Sequence, residues 1–168
     1  PVHKIIAEYS AAVYLTKRIG NSADPLTLRK CLSLIAPGHY VRDELRGLLG
    51  WMAACGDSTM QQNIIQLDPY SVLANGDPSQ LTVSSRLFLI AQLQKLEKED
   101  PFFRRNDAWR RFSVTGFFTP EIIETIRPLL TPQGEGHLSG LLLELLQGVE
   151  EAHALSSTIS SLVCDRLL

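Results

Sequence analysis

Cysteine is scarce and scattered in this chain. Cys31, Cys55 and Cys164 are odd in number, far apart and form no C-x-x-C pair, so the sequence offers neither a disulfide framework nor a cysteine zinc site. Each lies inside an apolar helical pattern and is expected to pack as a reduced core thiol. No Gly-rich run ending in Gly-Lys-Ser/Thr is present, which excludes ATP hydrolysis by a phosphate-binding loop of this chain itself. No Gly-x-Ser-x-Gly elbow occurs, and His3, His39, His137 and His153 lack the i, i+4 partners and acid pattern of a zinc centre. No catalytic residue, cofactor or metal is implied. Apolar runs stop well short of the roughly 18–20 residues of a membrane span, Leu138 to Leu146 included. No charged-then-apolar leader opens the chain, so the expected compartment is cytoplasmic, with no membrane partner. An excess of one charge is missing too: 16 Lys and Arg against 18 Asp and Glu give −2, and the bulk charge selects no partner.

What the sequence does have is helical periodicity. Its 168 residues are enough for one domain that buries about 70% of its unfolded surface without a covalent staple. The clearest pattern runs from Val41 to Gly76. Val41, Leu45, Leu48, Leu49, Met52 and Ala53 line one face of a helix ended by Gly56. Ser58 is placed to cap a second helix carrying Met60, Ile64, Ile65 and Leu67, closed by Asp68-Pro69. The pair reads as an antiparallel hairpin. Ahead of it, Val2 to Ile19 forms a helix with Val2, Ile5, Ile6, Tyr9, Ala12, Val13 and Ile19 on its apolar side. Asp24-Pro25 then starts a helix to Ile35, proline costing nothing at the first helical position.

Beyond the hairpin come a short helix, Tyr70 to Ala74, and a helix of about four turns capped by Ser79 or Thr82, with Leu87, Ile90, Ala91, Leu93 and Leu96 apolar. Further helices cover Pro120 to Leu130, bent or ended by Pro128, then His137 to Gln147, and Val149 to the end. No segment alternates as a half-buried strand does. The expected class is all-α: about eight helices in an irregular α-solenoid of HEAT-like stacked hairpins, without a fixed repeat period. One helical domain over 1–168 is expected, with a joint helix at 1–20, first helical layers at 21–99, an irregular segment at 100–118 and C-terminal helices at 119–168. With no initiator Met before the first helix, the chain is expected to be a piece of a longer one.

The irregular segment holds the one constellation with a functional reading. Phe102, Phe103, Arg104, Arg105, Trp109, Arg110, Arg111 and Phe112 interleave aromatics with four arginines, against the single nearby acid Asp107. Such a set stacks bases and tracks phosphates in nucleic-acid-binding proteins. The structural alternative has Phe102, Phe103, Trp109 and Phe112 filling a gap between helical layers while the arginines reach outward. A protein contact is the third use open to it.

Four stretches together resemble the large bacterial NACHT-type signal-transducing NTPases, in the region just C-terminal to their nucleotide-binding module. The opening helix matches through His3, Glu8, Tyr9, Ala11, Ala12, Tyr14 and Leu15, with Ser10 where a leucine is usual. Gly50, Trp51, Asp68, Pro69, Gly76 and Asp77 carry the second match. D-P-F-F-R-R-N-D-A-W and F-F-T-P-E-I-I-E-T-I-R-P-L-L are similar to the linking and following helical repeats. The resemblance implies a non-catalytic helical arm between an ATPase switch and a sensor or effector, acting through protein contacts, with the His3 to Leu15 helix as the joint. The rivals are a nucleic-acid or anion-binding domain built on the four arginines, and an enzyme built from scattered acids and histidines.

The expected core comprises Ile5, Ile6, Tyr9, Leu45, Leu48, Trp51, Ile64, Leu67, Leu87, Ile90, Ile123, Leu142 and Leu145. Trp51→Ala is then expected to cost roughly 3–5 kcal/mol in a chemical melt; a loss under about 1 kcal/mol would put Trp51 at the surface.

Overall fold

The computed structural model describes residues 2–105, 107, 112, 114–130 and 136–147, and among them every regular element is helical. The chain is therefore all-α. Eight α-helices are described: α1 (Val2–Ile19), α2 (Leu28–Ile35), α3 (Arg46–Cys55), α4 (Ser58–Leu67), α5 (Pro69–Ala74), α6 (Val83–Glu99), α7 (Pro120–Ile126) and α8 (His137–Gln147). Single 3-10 turns stand at Pro37–His39, Asp43–Leu45, Pro78–Gln80 and Arg127–Leu130. The helix expected from Val149 onward lies outside the described residues, as do Cys164 and His153. Residues up to Leu89 form one compact unit and those from Ile90 another, the division falling within α6. Among the described residues no helix is long and apolar enough to cross a membrane.

In the first unit α3 is the hub, touching α1, α4, α5 and the turns at Asp43–Leu45 and Pro78–Gln80. Its Leu49, Met52 and Ala53 are fully buried, as their spacing predicts. The remaining sector carries Gly47, Gly50, Trp51 and Ala54, at i, i+3, i+4 and i+7 along the helix. Gly50 meets the chain after α5: a Cβ there would stand 2.6 Å from the Asn75 carbonyl oxygen and 2.9 Å from the Asn75 Cβ. Gly76, at φ +73°, closes against the Gly50 backbone in return. Two glycines thus let two backbone segments approach where any side chain would hold them apart.

Capping explains most of the helix boundaries. Asp68 accepts a hydrogen bond from Ser71 N (2.9 Å) ahead of Pro69 at the start of α5. Thr82 accepts from Ser85 N (3.2 Å) to open α6. The cap of α4 is Asp57 rather than Ser58, its carboxylate accepting from Met60 N at 2.8 Å. α2 starts at Leu28 behind Thr27, not at Pro25, because Asp24 is already engaged. Its carboxylate takes the Arg18 guanidinium in a fork (2.7 and 2.9 Å) and the Leu26 N–H at 2.8 Å. The Arg18 hydrogen bonds, then the Leu26 N–H, hold the Asp24 carboxyl below its ordinary range.

Gln61 of α4 is buried and ties three segments together. Its amide donates to the carbonyls of Gly56 (3.2 Å) and Gln80 (3.5 Å), and its oxygen accepts from Thr82 N (3.1 Å). Arg86 in α6 is buried as well and donates to the Leu81 carbonyl (2.9 Å) and the Ser79 carbonyl. In the second unit Ile122, Ile123, Ile126, Leu141, Leu142 and Leu145 form the apolar core with Phe117. Glu97 of α6 reaches the start of α8, where its carboxylate accepts from Leu138 N at 2.6 Å. It replaces a local cap with a tertiary one and places negative charge at the helix's positive end.

The expected core is corrected in several places. Ile5 and Ile6 are each 57% exposed and Tyr9 is 47% exposed, whereas Ala12 is fully buried. The helix docks on α3 through a strip offset from its most apolar side: Glu8 lies against Gly47, and Ala12 permits the close approach. Leu45, Leu48, Trp51, Leu67 and Leu87 are half-buried, and Ala91 is exposed. Cys31 is buried as expected, but Cys55, at the end of α3, is exposed. Half-burial of Trp51 lowers the expected cost of its truncation to about 1–3 kcal/mol.

The glycine contacts give a paired test by chemical denaturation. Gly50→Ala is expected to destabilise by about 1–3 kcal/mol, since the new methyl meets backbone that cannot rotate aside. Gly140→Ala in α8 has open space within 4 Å and is expected to stabilise by about 0.5–1 kcal/mol through helix propensity.

Candidate functional site

The sequence-selected patch is only partly in view: Trp109, Arg110 and Arg111 lie outside the described residues. The remainder is built on tight turns after α6, with Phe103 N donating to the Asp100 carbonyl (3.1 Å) and Arg105 N to that of Phe102 (2.8 Å). The Asp100 side chain accepts from Phe102 N at 3.1 Å. Arg104 does not reach outward. Its side chain is 13% exposed and both terminal nitrogens lie 3.3 Å from one carboxylate oxygen of Glu144 in α8. Arg105 is exposed and pairs with Asp100 at 2.8 Å. Phe102 is the outward residue, 59% exposed, its ring 5.0 Å from that of His137, while Phe103 and Phe112 are half-buried.

The roles are therefore exchanged relative to the packing expectation for this segment. An arginine is drawn inward because α8 supplies a carboxylate 40 residues away in sequence, and burial of a cation is tolerable when it is paired. Both described arginines have an acid within hydrogen-bonding distance. Their charge is offset locally rather than offered to a phosphate backbone. A small recess of about 400 Å³ beside Glu97, His137 and Ser139 completes this region, but Glu97 is committed to the α8 N–H group.

The α1–α3 contact is the second candidate. Tyr9 meets Trp51 edge to face, ring centroids 5.3 Å apart. Lys4 lies 3.6 Å from Glu8, whose carboxylate rests on Gly47. The residues that carry the first two stretches of the sequence resemblance thus touch one another. Beside them a cleft of about 500 Å³ is lined by Tyr9, Val13, Trp51, Ala54 and Asp77. Cys55 also borders it; desolvation raises the pKa of its thiol, leaving it a poor nucleophile. Sequence reading missed this cleft because its lining comes from α1, α3 and the segment around the Pro78–Gln80 turn, which only the fold brings together.

Among the described residues no group of three or more His, Cys, Asp or Glu side chains is placed to hold a metal ion. Comparisons with protein-family models, with curated proteins and with solved structures find no match for this chain.

The paired arginines generate an expectation for nucleic acid. A fluorescein-labelled single-stranded oligonucleotide should show no saturable anisotropy change in low salt. Binding that weakens steeply between about 50 and 200 mM salt, and disappears when Arg104, Arg105, Arg110 and Arg111 are all Ala, would restore the nucleic-acid rival.

Proposed function

We propose that this chain is a non-catalytic helical scaffold domain of a NACHT-like NTPase, acting through contacts with neighbouring domains of a longer parent chain or with a partner protein. The observation that carries the reading is the outward side of α1. Ile5, Ile6 and Tyr9 stand exposed on it, next to the cleft between Tyr9 and Trp51. Exposed apolar side chains grouped on one helix mark a contact surface. A cleft of that size beside them accepts an anchoring side chain from the facing surface.

The sequence resemblance supplies the setting: a helical arm downstream of a bacterial nucleotide switch, in the cytoplasm, built of stacked hairpins. The α3–α4 pair, joined by Gly56-Asp57 alone, supports the hairpin part of that reading. The joint is α1, seated on the glycine face of α3. A helix held by small residues and one aromatic pair shifts by an ångström or two at modest cost, which is a common way of passing a neighbour's state onward.

Two measurements test the proposal. Reading the full-length frame should reveal a phosphate-binding loop upstream of Pro1; an initiator Met directly before Pro1 and no such module would overturn the family setting. Ile5→Glu combined with Ile6→Glu should change the stability of this chain by no more than about 0.5 kcal/mol per site. In the parent protein the same pair should sever coupling between the arm and the nucleotide-binding module. A large loss of stability in the isolated chain would mean that these side chains serve its own core.

A further inference from the structure

The first unit carries another surface that neither the sequence motifs nor the α1 face accounts for. It is an open groove of about 860 Å³ between α2 with its following turn and α4. Leu28, Leu32 and Ala36 of the α2 side and Leu67 of α4 give it an apolar floor. Its rim is polar and lopsided in charge. Arg29 and His39 stand on one side, Asn63 and Gln66 on the other, and no Asp or Glu lines it. Arg29 is exposed and, among the described residues, has no ion-pair or hydrogen-bond partner, unlike Arg18, Arg46, Arg104 and Arg105.

The backbone at the mouth of the groove is unusual. Gly38 (φ +65°) and His39 (φ +68°) lie consecutively in the left-handed region, and His39 is the one described non-glycine residue there. Glycine or asparagine would adopt that conformation at lower cost. The turn is pinned on both sides, with His39 N donating to the Ala36 carbonyl (3.1 Å) and Arg42 N to that of Ile35 (3.3 Å). An imidazole is thereby held at the rim by a fixed loop. Across the groove, the Asn63 amide nitrogen donates to the Thr59 carbonyl (2.8 Å), which orients that side chain and leaves its oxygen as an acceptor.

We propose that this groove is a docking site for a short acidic, amphipathic peptide segment of a partner protein. Its apolar side chains would lie on Leu28, Leu32 and Leu67, with a carboxylate bound by Arg29 and His39. Charge complementarity selects this occupant: a rim with two basic groups and no acid favours a carboxylate, and a guanidinium binds one through two parallel N–H donors. The apolar floor asks for spaced apolar anchors beside that carboxylate, as a helix lying in a groove provides. The inference is independent of the α1 reading, since it uses none of the same side chains.

The test uses three labelled peptides of one design: leucines at helical spacing separated by Glu, by Gln, or by Lys. Fluorescence anisotropy with this chain should give saturable binding of the Glu peptide, at least about tenfold tighter than the Gln peptide. Arg29→Glu, at an exposed position, should reverse the preference towards the Lys peptide. His39→Gly should weaken the Glu peptide while keeping or raising the melting temperature. No saturable binding of the Glu peptide, equal binding of the Glu and Gln peptides, or an unchanged preference in Arg29→Glu would overturn the proposal. Ile5→Glu with Ile6→Glu should leave peptide binding intact, which separates failure here from failure of the α1 reading. Self-association of the chain that Arg29→Glu abolishes, without peptide binding, would assign the groove to a second copy instead and also overturn it.

Discussion

The approach of Gly50 to Gly76 sets the geometry of the first unit. Backbone meets backbone there, with no side chain on either partner to act as a spacer. The turn after α5 is consequently held on the surface of α3, and Asp77, immediately beyond, starts the Pro78–Gln80 turn by accepting from Ser79 N at 3.1 Å. That turn delivers the Gln80 carbonyl to Gln61 and puts Thr82 where α6 must begin. Gln61 closes the circuit by binding the end of α3 at Gly56. A buried amide with such partners fixes register, because each displaced partner would leave a desolvated polar group costing about 1–3 kcal/mol. The apolar residues supply most of the driving force; the glycines and Gln61 decide which arrangement they collapse into.

The second unit solves the same problem with charge. Its apolar core is made by α7, the Arg127–Leu130 turn and α8, but α8 is aligned by carboxylates acting at two points. Glu97 binds its first turn, and Glu144 near its far end holds Arg104. The first contact works with the helix dipole. The second offsets the desolvation of a guanidinium that is largely out of water. An arginine in the sequence is thereby converted from a candidate ligand-binding group into a strut.

Local signals were legible where the chain's own neighbours decide the outcome. Asp68-Pro69, Gly56 and Thr82 stop or start helices through contacts two to four residues away, and these boundaries match. Periodicity found Ile64, Ile90, Ile123, Leu142 and Leu145 as core for the same reason; it put Leu49 and Met52 on the apolar face of their helix, but the expected core took Leu45, Leu48 and Trp51 there instead. Distant partners decided the rest. The stripe of α1 is wider than the strip α3 can cover, so Ile5 and Ile6 are left outside although their spacing suits a core. Gly47 and Gly50 carry no hydrophobic signal, yet they are the contact surface. Ser58 lost the cap to Asp57 because the carboxylate one residue earlier already meets the N–H group of Met60. The basic-aromatic segment read as a patch because sequence shows neither Asp100 nor Glu144 turned towards its arginines.

On the reading proposed above, function rests on surfaces rather than on reacting groups, and the two surfaces proposed in the first unit are joined by one connection. Arg18 stands in the last turn of α1 and Asp24 in the loop before α2; their forked ion pair closes the loop between the two helices. Those hydrogen bonds hold the Asp24 carboxyl below its ordinary range, so the clamp present at neutral pH persists further into acid than an unpaired aspartate would allow. α1 thus leads directly into the helix that supplies Leu28, Arg29 and Leu32 to the proposed groove. A partner that moved α1 on its glycine seat would pull on one wall of that groove through a short, fastened loop. By linkage, a ligand in the groove that favours one position of α2 must bias α1 by the same free energy. The exposed apolar helix and the groove with its basic rim differ in chemistry; if both proposed surfaces are used, they call for different partners, the property that would distinguish a coupling element from a passive spacer.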